Sequence, residues 1–227
     1  MSEVGRAVRQ NPLHEPWRRF VPVLWLMALL TGSSIVGAIY LRVSGDESPW
    51  FEVAVTAFDA LVIVAFALRE RALVRAALSF DRVTGRGWLY CLAVFGVMVV
   101  VVEAYFWLGQ FLFDMIDMLE SYRAAGWPPW SAVVLIVLCP AFFEELAFRG
   151  FLLERLQPLM GRRDALLLQA ALFSILHLSP AILPSHFCIG LGLGLMRQRT
   201  GSLVPGMFAH GLWNLIVLVE EGLLTGW

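Results

Sequence analysis

The chain has 227 residues, of which 59% are hydrophobic and 15% are charged, and its mean hydropathy is +0.73. Soluble domains average about 45–50% apolar residues, so this composition excludes an ordinary soluble domain and predicts a polytopic membrane protein. The formal net charge of -1 gives no indication of a surface for nucleic acid.

Apolar segments alternate with short polar connectors along the chain. The longer segments have at least about 20 residues, enough to cross roughly 30 Å of hydrocarbon at about 1.5 Å per residue. This pattern predicts an all-α fold with about seven transmembrane helices, and a basic connector over 69–87 predicts a short helix on the membrane surface. The predicted spans are 20–41, 50–68, 88–113, 130–157, 165–178, 183–196 and 205–220.

The arginines are concentrated in the N-terminal tail and in the connectors after spans two, four and six. By the positive-inside rule, the N-terminus and these connectors are predicted to be cytoplasmic in a multi-pass protein of the cell membrane. We expect one integral membrane domain with two parts. Residues 1–129 hold the tail, the first three helices and the connector, whereas 130–220 hold helices four to seven with the polar motifs described next.

Span four carries Glu144, Glu145 and Arg149 inside an apolar run. A charge near the bilayer centre costs roughly 3 kcal/mol, so such residues indicate a function and a charged partner. Glu145 and Arg149 are four residues apart with the acid first, which predicts an ion pair on one helical face. Glu144 then lies about 100° around the helix, where it is able to face another group.

Two further polar pairs lie in the last spans: Phe173 and His177 in span five, and His210 and Asn214 in span seven. A lone histidine in a membrane helix is more often an interhelical hydrogen-bonding residue than a catalyst. Counted from the cytoplasmic helix ends, however, Glu144 and His177 lie at roughly 20 Å, Asn214 at roughly 18 Å and His210 at roughly 12 Å. The similar depths predict a shared site, with Phe173 packed beside His177.

The ordered motifs Glu144-Glu145-x-x-x-Arg149, Phe173-x-x-x-His177 and His210-x-x-x-Asn214 resemble those of the CPBP family of intramembrane proteases. That family includes prenyl endopeptidases that trim CAAX proteins, and bacterial (Abi) members linked to bacteriocin processing and immunity. The resemblance covers about residues 130–220 and implies an intramembrane endopeptidase.

The resemblance also implies roles for the polar residues. Glu144 is implied as the base that activates water and His177 as its partner on that water, while His210 and Asn214 are implied as donors to the oxyanion. A desolvated carboxylate near a histidine suits the first role, and two donors on one helical face suit the second. Glu145 with Arg149 is then a structural or substrate-binding pair.

No cofactor is expected, because the HExxH motif is absent although the family is often labelled metalloprotease. A zinc ion on Glu144, His177 and His210 with an open fourth position stays an alternative. The expected partners are the lipid bilayer and a membrane-associated peptide or protein substrate, including a prenylated CAAX-type protein, and no nucleic acid.

Two other functions remain open. A non-catalytic scaffold or bacteriocin-immunity protein would bind a peptide through the same polar cluster. A transporter would use Asp59 and Glu103 as further ionisable residues of a proton or ion relay. The sequence shows no internal inverted repeat, which a transporter would be expected to have. Both acids are also compatible with interhelical hydrogen bonds. His186 lies outside the motifs and is expected to be incidental.

Overall fold

The computed structural model describes residues 14–45, 48–113 and 117–226. Across these ranges the chain is helical and has no strand, which confirms the all-α prediction. Most of the predicted N-terminal tail, residues 1–13, lies outside the described residues. The helices are α1 (His14–Ser44), α2 (Pro49–Arg69), α3 (Arg71–Ala77), α4 (Gly85–Gly109), α5 (Glu120–Ala124), α6 (Pro129–Met160), α7 (Arg162–Ile175), α8 (Leu183–Thr200) and α9 (Val204–Glu220).

Four of these helices contain segments that are long and apolar enough to cross a membrane: Phe20–Ser44, Pro49–Arg69, Gly85–Gly109 and Pro129–Met160. Helix α9 is apolar but has only 17 residues. Large apolar side chains point outward, and Leu92, Val100 and Trp107 of α4 are each more than 60% exposed, as expected for a surface in contact with lipid. The chain is therefore an integral polytopic membrane protein, and the count of seven spans stays a prediction.

Helix α6 is irregular along its length. It widens into π-helical turns at Val133–Leu138 and Glu145–Leu152, and turns of this kind are frequent at functional sites. The helix continues past Pro158 to Met160. It ends at Gly161, whose φ of 87° is a conformation that favours glycine.

The three connectors that were predicted to share one side of the membrane meet at one end of the molecule. Leu203, at the start of α9, donates its backbone N–H to the Ala77 carbonyl at 2.7 Å. Arg155 in the last turns of α6 pairs with Glu70, which lies between α2 and α3. This meeting of the three connectors at one end agrees with the arginine distribution.

Helices α7 and α8 pack closely through glycines of α8. A Cβ atom at Gly190 would lie 2.9 Å from Ala170 Cα, and one at Gly194 would lie 2.4 Å from Leu166 Cδ1. Real Cβ atoms do not approach neighbours this closely, so glycine permits the observed helix separation. Glycine in α8 thus sets how closely this helix lies against α7.

Candidate active site

Glu145 and Arg149 form the predicted ion pair. Arg149 Nη1 lies 2.8 Å from Glu145 Oε1, and both side chains are completely buried. The guanidinium of Arg149 also lies over the Phe173 ring, with its carbon 4.4 Å from the ring centroid, and Nη2 donates to the Gly190 carbonyl at 3.4 Å. Arg149 thereby joins α6 to α7 and α8.

His210 lies between the two adjacent glutamates. Its Nδ1 is 3.0 Å from Glu145 Oε1, and its Nε2 is 3.8 Å from Glu144 Oε2. Because an ionised carboxylate only accepts hydrogen bonds, Nδ1–H donates to Glu145 and Nε2 faces Glu144. The distance from Nε2 to Glu144 is too long for a direct hydrogen bond.

The position of Glu145 requires a glycine on α9. A Cβ atom at Gly206 would lie only 2.9 Å from Glu145 Oε2, so any larger residue would push the carboxylate away. This contact brings the start of α9 against α6 and sets His210, one turn further along, beside the glutamates. Gly206 therefore contributes to the site, although the sequence motifs did not single it out.

Glu144 differs from its neighbour because its side chain remains 28% exposed. It lines a cavity of about 80 Å³ bounded by α1, α2, α6 and the residue that follows α7, with Leu30, Ile63 and Leu176 among its walls. In the part of the chain that the structure describes, Glu144 Oε2 has no hydrogen-bond partner. This carboxylate is thus available to a small molecule or group that enters the cavity.

Phe173 connects the two predicted histidines. Its ring centroid lies 5.1 Å from that of His177 and 6.0 Å from that of His210. The Nδ1 atom of His177 is 2.9 Å from the Phe173 carbonyl. A carbonyl only accepts, so Nδ1–H is the donor and Nε2 of the neutral ring remains an acceptor. Phe173 was expected to pack beside His177 and in fact contacts Arg149 and His210 as well.

Asn214 lies one turn beyond His210 and is anchored to α6. Its Nδ2 donates to the Ile136 carbonyl at 2.8 Å. Pro140, four residues after Ile136, has no backbone N–H to satisfy that carbonyl in an α-helical register. The bond uses one of the two amide hydrogens of Asn214 and fixes the side chain close to the first π-helical turn of α6.

Two residues near the site were not assigned to it from the sequence. His186, which was expected to be incidental, lies beside His177, with 4.0 Å between the two ring centroids. The short connector between α7 and α8 brings these two histidines together. The length of this connector was the feature of the sequence that could have predicted their proximity. Asp59 of α2 accepts a hydrogen bond from Ser33 Oγ of α1 at 2.6 Å, which is an interhelical hydrogen bond. Asp59 also lines the cavity beside Glu144.

The zinc alternative needs three protein ligands that lie close together. Among the residues that the structure describes, no group of three or more His, Cys, Asp or Glu side chains is arranged to hold a metal ion.

Residues 126–216 match the model of a protein family described as type II CAAX prenyl endopeptidase Rce1-like. This part of the chain is similar to the Rce1-like family. The matched part runs from just before α6 into α9 and contains every predicted site residue, which confirms the resemblance to the CPBP intramembrane proteases and supports a membrane endopeptidase. No curated protein and no solved structure matched the chain.

Proposed function

We propose that the protein is an intramembrane endopeptidase that hydrolyses a peptide bond of a membrane-associated peptide or protein, with Glu144 activating the water. One observation carries this proposal: the Glu144 side chain lines a cavity, and its Oε2 has no hydrogen-bond partner and lies 3.8 Å from His210 Nε2. Both residues belong to the part of the chain that matches the family model. A carboxylate placed in this way is suited to act as a general base.

The proposed mechanism places the reacting water between Glu144 and His210. We place the water oxygen between Glu144 and His210, about 2.8 Å from each side chain. Because Glu144 Oε2 is buried, the carboxylate must turn toward the cavity to receive the water. We propose that the water donates one hydrogen to Glu144 and that His177, which the family resemblance implies as its partner on the water, accepts the other at Nε2. Glu144 takes the first proton as the oxygen bonds to the carbonyl carbon, and that proton passes to the amine nitrogen when the C–N bond breaks.

The carbonyl oxygen gains negative charge during this step and needs hydrogen-bond donors. His210 donates from Nε2 when that atom carries a proton, and Glu145 keeps the ring in place through Nδ1. The second amide hydrogen of Asn214 supplies another donor from the same face of α9. Removing one donor of this kind typically lowers kcat by about 10² to 10³.

Rce1-like proteins are described as CAAX prenyl endopeptidases, and we assign this chain the same substrate class, a membrane-anchored protein or peptide cut near its terminus. The test is to incubate the purified protein with membrane-anchored peptides, with and without a prenyl group, and to read the termini by mass spectrometry. We expect new termini with the wild type and none with Glu144→Gln.

Cleavage that is equal in both proteins would contradict the assignment of Glu144. Peptide binding without cleavage by the wild type would favour the scaffold or immunity function instead.

A further inference from the structure

The cavity beside Glu144 carries a second carboxylate that the proposed mechanism does not use. Asp59 comes from α2, outside the part of the chain that matches the family model. Ser33 of α1 donates to Asp59 Oδ1 at 2.6 Å, which holds the carboxylate at the cavity wall. The first two helices therefore add a charged group to the same space into which Glu144 opens.

The charged side chains that line this cavity are all acidic. Among the described residues that line it, Asp59 and Glu144 are acidic and none is basic. Most of the remaining wall is apolar, including Leu30, Ile63 and Phe143. A space with apolar walls and carboxylates suits a side chain with an aliphatic stem and a cationic tip, as lysine and arginine have.

The size of the cavity agrees with such an occupant. Its volume of about 80 Å³ is several times the roughly 10–15 Å³ that a single water needs. It reaches Glu144, so a side chain inserted here belongs to a substrate residue close to the scissile bond. An opposite charge a few ångströms from a carboxylate in a partly buried site gains substantial Coulomb energy.

We infer that this cavity is a substrate subsite for a basic side chain next to the scissile peptide bond, and that Asp59 selects the positive charge. The inference rests on the proposed function, because it takes Glu144 as the base at the scissile bond. It adds a specificity determinant from α2 to the reaction centre on α6 to α9.

The first test compares peptides that carry lysine, norleucine or glutamate at each position flanking the cleaved bond. We expect wild-type kcat/KM to favour lysine over norleucine by about tenfold or more at one position. Asp59→Asn should lower kcat/KM for the lysine peptide far more than for the norleucine peptide, and Ser33→Ala should change the ratio in the same direction. Glu103→Gln, an acid of α4 outside the cavity lining, is the matched control.

Equal loss for both peptides in Asp59→Asn, or no preference for lysine in the wild type at any flanking position, would overturn the inference. Cleavage that depends on Glu144 would still support the proposed function in either case. The two claims therefore fail separately.

A second test needs no turnover, because Cys139 lines the same cavity. In a Cys91→Ala, Cys188→Ala background, the rates of Cys139 modification by cationic aminoethyl methanethiosulfonate and by neutral methyl methanethiosulfonate are measured. Asp59→Asn should lower the cationic-to-neutral rate ratio by about tenfold, while Glu103→Gln leaves it unchanged. An unchanged ratio in Asp59→Asn would overturn the charge selection even if no peptide were cleaved.

Discussion

Glu144 and Glu145 are adjacent in the sequence yet occupy opposite environments. Glu145 is completely buried, and contacts with Arg149, His210 and Gly206 fix its position. Glu144 keeps 28% of its side-chain surface exposed and faces a cavity. Since a base must reach its substrate and a positioning residue must not move, this difference supports the separate roles that we propose for the two carboxylates.

The buried ion pair of Glu145 and Arg149 leads to the first prediction, which concerns stability. Arg149→Met would leave this buried carboxylate without its guanidinium, and breaking a buried pair typically costs about 3–5 kcal/mol. We expect the unfolding free energy in detergent to fall by that order. In Glu145→Gln, Arg149→Met the loss should be smaller than the sum of the two single losses. Single variants as stable as the wild type would contradict the importance of the pair.

Asn214 is expected to contribute to both stability and catalysis, and the two contributions can be measured separately. Asn214→Ala removes the bond to the Ile136 carbonyl and should lower the unfolding free energy by about 1–3 kcal/mol. If the second amide hydrogen serves the oxyanion, kcat should also fall by about 10² to 10³, with a smaller change in KM. Lower stability with nearly normal kcat would restrict Asn214 to anchoring α9 on α6.

The packing of helices also determines the site, which depends on how closely α8 approaches α7. The carbonyl of Gly190 accepts hydrogen bonds from Gln169 Nε2 at 2.7 Å and from Arg149 Nη2 at 3.4 Å. The same glycine lies against the backbone of α7 at Ala170. One residue of α8 therefore sets both the helix separation and a contact of the buried arginine.

This arrangement predicts that Gly190→Ala is harmful. The new methyl group would lie 2.9 Å from Ala170 Cα, a backbone atom that cannot move aside alone. Overpacking of this kind costs about 1–3 kcal/mol, so we expect lower thermal stability and reduced activity. Gly96→Ala in α4 is the matched control, because nothing lies within 4 Å of its added Cβ, and it should keep wild-type stability. Equal behaviour of the two variants would contradict the packing argument.

At the scale of the whole molecule, the connectors sort to two ends. With the arginine-rich connectors cytoplasmic, cysteines introduced at the exposed positions Asp81 and Arg163 should share one side, and Ala125→Cys should lie on the other. In a background without native cysteines, an impermeant thiol reagent added to intact cells should label only Ala125→Cys. Labelling of Arg163→Cys in intact cells would contradict the predicted orientation.

The features that could be predicted from the sequence are those that depend on the spacing of residues close together in the chain. The length of apolar runs located the helices, and the four-residue spacing of Glu145 and Arg149 predicted their pair, because helical geometry alone determines both. The places of His186 and Asp59 depend on how separate helices pack, and no local pattern encodes that packing. The π-helical turns of α6 were also missed, since they arise from tertiary contacts rather than from a residue signature.

The measurement that tests the central claim most directly is cleavage of a substrate peptide in heavy-oxygen water by the wild type, Glu144→Gln and the control Glu103→Gln. We predict one heavy oxygen atom in the newly formed carboxyl group, wild-type rates in Glu103→Gln, and a loss of at least about 10²-fold in Glu144→Gln, all unaffected by a strong chelator. Near-normal turnover in Glu144→Gln, or activity that disappears with the chelator and returns with zinc, would contradict hydrolysis by a Glu144-activated water.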